Sequence, residues 1–249
     1  MYYYEKWKLL LKIKENIYFF RFLVYKQIFN CYSHFSVVMK MKYLGSKTIE
    51  TERLILKAQT MKEQKTLWQI LMLPEVNRYY LTIPKKYAAN LYDWDKQQVF
   101  YEQDMKHAND LTTFKWSVFI KGTNECIGRV SCHEAHSEDE AIDNPNIRGV
   151  GWFINPKYKG YGYGREAANA MMEYMFEECE ISEIKTGAAV NNPASWLIME
   201  KFGFVRSNET KMIDYTFVTG PVCDYQYYLT RDMYLDKKDT LNKKIKWRE

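Results

Sequence analysis

Between Lys159 and Arg165 the chain reads Lys-Gly-Tyr-Gly-Tyr-Gly-Arg, with Gly160, Gly162 and Gly164 on alternate positions. The apolar run Val150–Ile154 precedes this stretch, Pro156 ends that run, and a helical pattern from Arg165 to Glu178 follows. Proline cannot donate to a strand ladder, so the order is strand, glycine turn, helix. Such a turn gathers bare backbone N–H groups at a helix N-terminus, where the dipole suits an anion such as a pyrophosphate. Two phosphate loops do not fit. A Walker A loop closes on Gly-Lys-Ser/Thr, whereas Gly164 is followed by Arg165 and Glu166. A dinucleotide fingerprint is spaced G-x-G-x-x-G with an acid for the ribose further on, and the spacing here is G-x-G-x-G. An ordinary tight turn is the alternative for the glycines taken alone.

A second candidate site lies downstream. Ile184–Val190 reads as another buried strand, and Asn192-Pro193-Ala194-Ser195 opens a helix. Asn192 suits the N-cap, and Pro193 suits the first helical position, where a missing N–H costs nothing. Glu200-Lys201-Phe202-Gly203-Phe204 closes that helix with Gly203 where a left-handed residue is wanted. In this order the segments resemble the GNAT N-acetyltransferases, whose coenzyme A loop is written Arg/Gln-x-x-Gly-x-Gly/Ala; Lys159 takes the first place. The chain looks most like the branch of ribosomal-protein alanine N-acetyltransferases, which reads Asn-x-x-Ser and then Glu-Lys-x-Gly-Phe here. The resemblance covers Lys47 to Asp236.

The resemblance implies an α+β, three-layer fold: a mixed, mostly antiparallel central sheet with helices on both faces. It implies acetyl transfer from acetyl-CoA to a primary amine, with no metal. Backbone groups of Trp152, Phe153 and Ile154 would bind the pantetheine arm as an added strand. The pyrophosphate would sit on the N–H groups of Gly160, Tyr161, Gly162, Tyr163, Gly164 and Arg165, with charge from Lys159 or Arg165. Asn192 would reach the pantetheine arm, and Ser195 would donate to the leaving thiolate; their bland roles are helix cap and first-turn serine. Two places depart from the family pattern. Met199 stands where many members carry a tyrosine acid, so Ser195 or water would serve instead. Arg148 and Gly149 stand where many carry a glutamate base, which leaves Glu134 or His133, or water, for that task. The acceptor would be a protein N-terminal amine or a small molecule such as a polyamine or aminoglycoside. A non-catalytic acyl-CoA-binding module is the alternative class.

Other elements must position these residues. Thr48–Lys57 reads as a first strand, and Thr60-Met61-Lys62-Glu63 as a capping box opening a helix that Pro74 stops. A tyrosine-rich loop from Val76 to Leu91 leads into a helical pattern from Ala88 to His107. Lys115–Ile120 and Glu125–Cys132 read as a hairpin, as do Thr210–Thr219 and Gln226–Thr230 across Gly220-Pro221. His133 to Asn146 is an acidic loop whose histidine spacing is not that of a helical zinc site. It keeps a polycationic acceptor in view. Residues 237–249 read as a charged, frayed tail.

The 249 residues are 47% apolar, enough for one sizeable core. Of the net charge of +5, residues 1–46 hold +6, with eight basic side chains against two acidic ones, so the remaining chain is nearly neutral and nucleic-acid binding through a basic face is not supported there. That basic, aromatic extension is read as either a non-native segment preceding a start near Met39 or Met41, or an amphipathic helix on a membrane surface or partner. Arg21 and Lys26 interrupt it before the roughly 20 apolar residues of a span. The five cysteines form no C-x-x-C pair, which suits reduced thiols in a cytoplasmic protein, monomeric or homodimeric.

Overall fold

The computed structural model describes residues 40–135 and 144–244. One eight-stranded sheet runs through them. Its strands are β1 (Ile49–Glu50), β2 (Leu54–Ala58), β3 (Phe114–Ile120), β4 (Cys126–Glu134), β5 (Ile147–Ile154), β6 (Glu183–Ala189), β7 (Val205–Ile213) and β8 (Val222–Thr230). Their order is β1-β2-β3-β4-β5-β6-β8-β7, antiparallel throughout except for the parallel pair β5 and β6. The expected mixed, mostly antiparallel sheet is therefore present.

Helices cover both faces. On one, α1 (Met61–Leu71) lays Leu67, Ile70 and Leu71 against Phe153. Its capping box forms as the sequence requires: Glu63 Oε1 accepts from the Thr60 N–H at 2.7 Å, and Thr60 Oγ1 accepts from the Lys62 N–H at 3.3 Å. On the other face, α5 (Tyr163–Glu173) buries Ala167, Ala168, Met171 and Met172 against Leu54, Leu56, Trp116 and Val130. Alanines bring that helix close to the sheet, and each fully buried Leu or Met contributes about 1.5–3 kcal/mol. The other helices are α2 (Pro74–Asn77), α3 (Ala88–Leu91), α4 (Trp94–Met105), α6 (Pro193–Phe202) and α7 (Arg231–Lys244).

Several boundaries differ from those expected. Thr48–Lys57 is two strands, broken at Thr51-Glu52-Arg53. Pro74 begins α2 instead of simply stopping α1. The pattern Ala88–His107 breaks where the Asp93 side chain caps α4 by accepting from the Lys96 N–H. Helix α5 gives way to a π-turn over Tyr174–Glu178. The last hairpin pairs Val205–Ile213 with Val222–Thr230, which leaves 214–221 as a broad connection. Residues 237–244 continue α7, and Lys238 Nζ lies 2.6 Å from Glu177 and 3.7 Å from Glu173.

Packing also reaches back past residue 47. Met41 is buried in the core, its N–H donates to Asn146 Oδ1 at 2.5 Å, and Gly45 O accepts from the Tyr174 hydroxyl at 2.9 Å. The rest of the basic extension, the middle of the acidic loop with His136, Glu138, Asp139, Glu140 and Asp143, and the tail beyond 244 lie outside the described residues. Among the described residues no helix is long and apolar enough to cross a membrane.

Candidate functional site

Strands β5 and β6 pair only at Ile147↔Glu183 and Arg148↔Ile184. Beyond that point β5 stays with β4 as far as Gly128↔Ile154, and β6 stays with β8 as far as Ala189↔Asp224. The two strands part, and the β5 edge from 149 to 154 has no strand partner on the β6 side. At the fork the Thr186 hydroxyl donates to Val150 O at 3.3 Å, standing in for a ladder bond. Backbone groups inside a protein need partners, so a bare strand edge in a cleft suits an extended, amide-bearing ligand. Trp152, Phe153 and Ile154 lie on this edge. Trp152 and Ile154 pack toward the main core, while Phe153 points to the other face and meets the Tyr80 ring edge-on at 5.2 Å.

The edge runs directly into the glycine turn. Pro156–Tyr158 forms a single 3-10 turn, then Gly160 and Gly162 take φ of 90° and 80°. That left-handed backbone is the reason for glycine at both positions. Gly162 is the N-cap of α5 and offers no side chain to its N–H groups; the Glu166 N–H donates to Gly162 O at 3.0 Å, the first turn's helical bond. The N–H groups of Tyr163, Gly164 and Arg165 precede that bond in the first turn, where an α-helix supplies no acceptor of its own. Lys159 and Gly160 are exposed and Tyr161 is 61% exposed. The Tyr161 and Tyr163 rings stack at 5.8 Å, and Tyr158 meets both edge-on.

A carboxylate absent from the expected site residues holds this turn in place. Glu166 is 4% exposed. It accepts from Thr51 Oγ1 at 2.5 Å, from the Arg53 N–H at 2.9 Å and from Arg53 Nε at 2.8 Å. The same guanidinium donates to Tyr161 O at 3.0 Å and lies 4.7 Å from the Tyr163 ring centroid. The β1–β2 turn is thereby fastened to the glycine turn. Removing the charge as Glu166→Gln leaves a largely buried arginine short of its partner and is expected to cost about 3 kcal/mol, read from the urea midpoint. A change of under ~0.5 kcal/mol would make it an ordinary surface pair.

Helix α6 starts where expected, with Pro193 first and Gly203 ending it at φ 91°. Asn192 holds the N-cap position but makes no capping bond with its side chain. Its Nδ2 donates instead to Ser195 Oγ at 3.0 Å. Both residues are half-buried. With its oxygen engaged as acceptor, the Ser195 hydroxyl keeps its own proton to donate. Met199 is 3% exposed and belongs to the core.

Strand alternation sorts the candidate bases. Along β4, Arg129, Ser131 and His133 share a face with Gly149, Gly151 and Phe153 of β5, under the loop that carries Tyr80. Arg129 donates to the Tyr80 hydroxyl at 2.9 Å, and a side chain at Gly151 would come within 3.4 Å of that oxygen. The His133 ring lies over Gly149: a Cβ there would sit 2.3 Å from His133 Cε1. His133 Nδ1 is 2.9 Å from Glu134 O. A carbonyl only accepts, so in this contact Nδ1 is the donor. Glu134 is turned to the opposite face with its register partner Arg148 and is 76% exposed, with Arg148 Nη1 4.0 Å away. The structure thus does not bring Glu134 to the face that carries Tyr80 and Gly151.

The described cysteines are all free thiols. Burial pushes Cys126 and Cys179 up to about 11 and Cys132 to about 12, far from thiolate nucleophiles. No group of three or more His, Cys, Asp or Glu among the described residues is placed to hold a metal.

Residues 53–205 match the family model described as the acetyltransferase (GNAT) domain. The uncharacterised N-acetyltransferase YnaD of Bacillus subtilis is 28% identical over 123 residues, 47% of this chain and 68% of that protein. Spermidine N(1)-acetyltransferase of Vibrio cholerae is 28% identical over 87 residues, 34% of this chain and 49% of that protein. The crystal structure of ribosomal-protein-S5-alanine acetyltransferase from Vibrio fischeri superposes with a TM-score of 0.59 at 17% identity, covering 75% of this chain and 98% of that one.

Proposed function

This chain belongs to the GNAT acetyltransferase family, and on that premise we propose that it moves an acetyl group from acetyl-CoA to a primary amine that approaches over the face carrying Tyr80 and His133. The observation that carries this reading is the forked β5–β6 pair, whose bare edge leads straight into the glycine turn and the N-terminus of α5. That geometry fits acetyl-CoA along its length. The edge of Trp152, Phe153 and Ile154 would pair with the pantetheine amides, and the N–H groups from Gly160 to Arg165 would hold the pyrophosphate, with Lys159 adding charge.

When bound, acetyl-CoA supplies an already reactive thioester, so the protein's part is largely positioning. The acceptor must attack as a neutral amine. The His133 imidazole would take the proton that the amine nitrogen sheds as it bonds to the carbonyl carbon. The Ser195 hydroxyl, oriented by Asn192, would hydrogen-bond to the thiolate sulfur as it leaves, and the thiolate would take its proton from the protonated base or from water. His133 replaces Glu134 in this account, because the ring covers Gly149, the place where many family members carry their base. His133→Gln is expected to lower kcat at pH 7 by about tenfold or more, with Glu134→Gln near wild type. Steady-state rates of both variants check this; equal losses would return the base to water or to Glu134.

Two acceptor classes are supported by the relatives' names: a protein N-terminal amine by the ribosomal-protein enzyme, and a polyamine by the spermidine enzyme. Thiol release from acetyl-CoA, measured with N-terminal peptides, polyamines and aminoglycosides in turn, tests the reading. Release with one class names the acceptor. No release with any of them, although acetyl-CoA raises the melting temperature, would overturn it.

A further inference from the structure

On the face of Tyr80 and Gly151, across the fork from β5, lies a buried acid with one unused oxygen. Asp224 stands opposite Ala189 at the open end of β6 and is 4% exposed. Its Oδ2 accepts from the Tyr215 hydroxyl at 2.6 Å, while Oδ1 has no hydrogen-bond partner. Among the described residues no lysine, arginine or histidine pairs with it. Beside it, Asp224 and Gln226 lie close over the bare Gly187 backbone: a Cβ there would stand 3.6 Å from Asp224 Oδ2 and only 3.1 Å from Gln226 Nε2. The roof is built from the loop of Tyr80 and the 214–221 connection. Tyr79 meets Tyr215 edge-on at 5.6 Å, and Thr216 bonds to Leu81 O and Ile83 O at 2.8 and 2.7 Å.

An ionised carboxylate taken from water needs more than one neutral donor. Burial accordingly pushes the Asp224 carboxyl above its ordinary value. The group that completes such a site is a cation that donates hydrogen bonds.

We propose that Asp224, held by Tyr215 with its other oxygen unpartnered, recognises a second cationic group of the acceptor, so that the preferred substrates are amines bearing an ammonium or guanidinium apart from the nitrogen acylated. This rests on the reading of that face as the acceptor side.

The test separates binding from turnover. Butylamine, 1,4-diaminobutane and spermidine are titrated calorimetrically into protein saturated with CoA. Wild type is expected to bind the two polycations at least about tenfold more tightly than butylamine, a charge-assisted contact being involved. Asp224→Asn should erase that preference and leave CoA affinity unchanged. Gly187→Ala, whose methyl would press on Gln226 Nε2 beside Asp224 without touching the charge, should reduce it, and keeps the test open if Asp224→Asn does not fold. No preference in wild type, or a preference retained in folded Asp224→Asn, overturns the proposal. Preference without thiol release from any amine would sink the acetyl-transfer reading and leave Asp224 as a polycation site.

Discussion

Gly162→Glu is expected to abolish CoA binding. Gly162 sits at φ 80° as the N-cap of α5, and its neighbours present the first-turn N–H groups. Two penalties act together. A non-glycine residue in the left-handed region costs about 1–2 kcal/mol. A carboxylate some 4 Å from a bound phosphate charge costs about 4 kcal/mol at an effective dielectric of 20. The sum predicts a loss of well over about 100-fold in affinity, read by calorimetry with CoA. Gly160→Ala separates the two terms. Gly160 has φ 90°, and a Cβ there meets no atom within 4 Å. Only the backbone penalty applies, so a loss of about thirtyfold at most is expected. Wild-type affinity in folded Gly162→Glu would mean that the pyrophosphate does not use this turn.

What was legible in the sequence was what local geometry demands. Positive φ at Gly160 and Gly162 needs glycine, Pro193 and Gly203 mark the ends of α6, and the Thr60–Glu63 box is four residues long. What escaped depends on partners far along the chain. Thr48–Lys57 alternates like one strand, yet it breaks at Thr51 and Arg53 because both bind Glu166, 115 and 113 residues away. Residues 237–244 look like a solvated tail, but α7 runs through them and Lys238 finds Glu173 and Glu177. The base was a question of parity. His133 and Glu134 are adjacent in sequence and opposite in facing, and only the register His133↔Gly149 decides which one shares a face with Tyr80. Asp224 carries no local mark at all; its meaning comes from its burial beside Tyr215 and from an oxygen left without a partner. The Asn192 cap was half legible, since the position follows from Pro193 while the side chain turns to Ser195.

That last pair yields the second large effect. Ser195→Ala is expected to lower kcat by about 100-fold, the low end of the usual worth of a positioned proton donor. CoA affinity should move by no more than about twofold, because the hydroxyl acts on a charge that develops only as the thiolate leaves. Asn192→Asp is the sharper companion. Asn192 Nδ2 donates to Ser195 Oγ at 3.0 Å, which leaves the serine proton for the sulfur. A carboxylate at that position can only accept. It would draw the serine proton to itself and set a negative charge beside the developing thiolate. Turnover of Asn192→Asp should therefore fall at least as far as that of Ser195→Ala, although the serine is still present. A helix-capping role for Asn192 makes the opposite forecast, because aspartate caps as well as asparagine. Single-turnover rates of the two variants at saturating acetyl-CoA distinguish these accounts. If both match wild type, Ser195 is a first-turn helix residue and water protonates the thiolate.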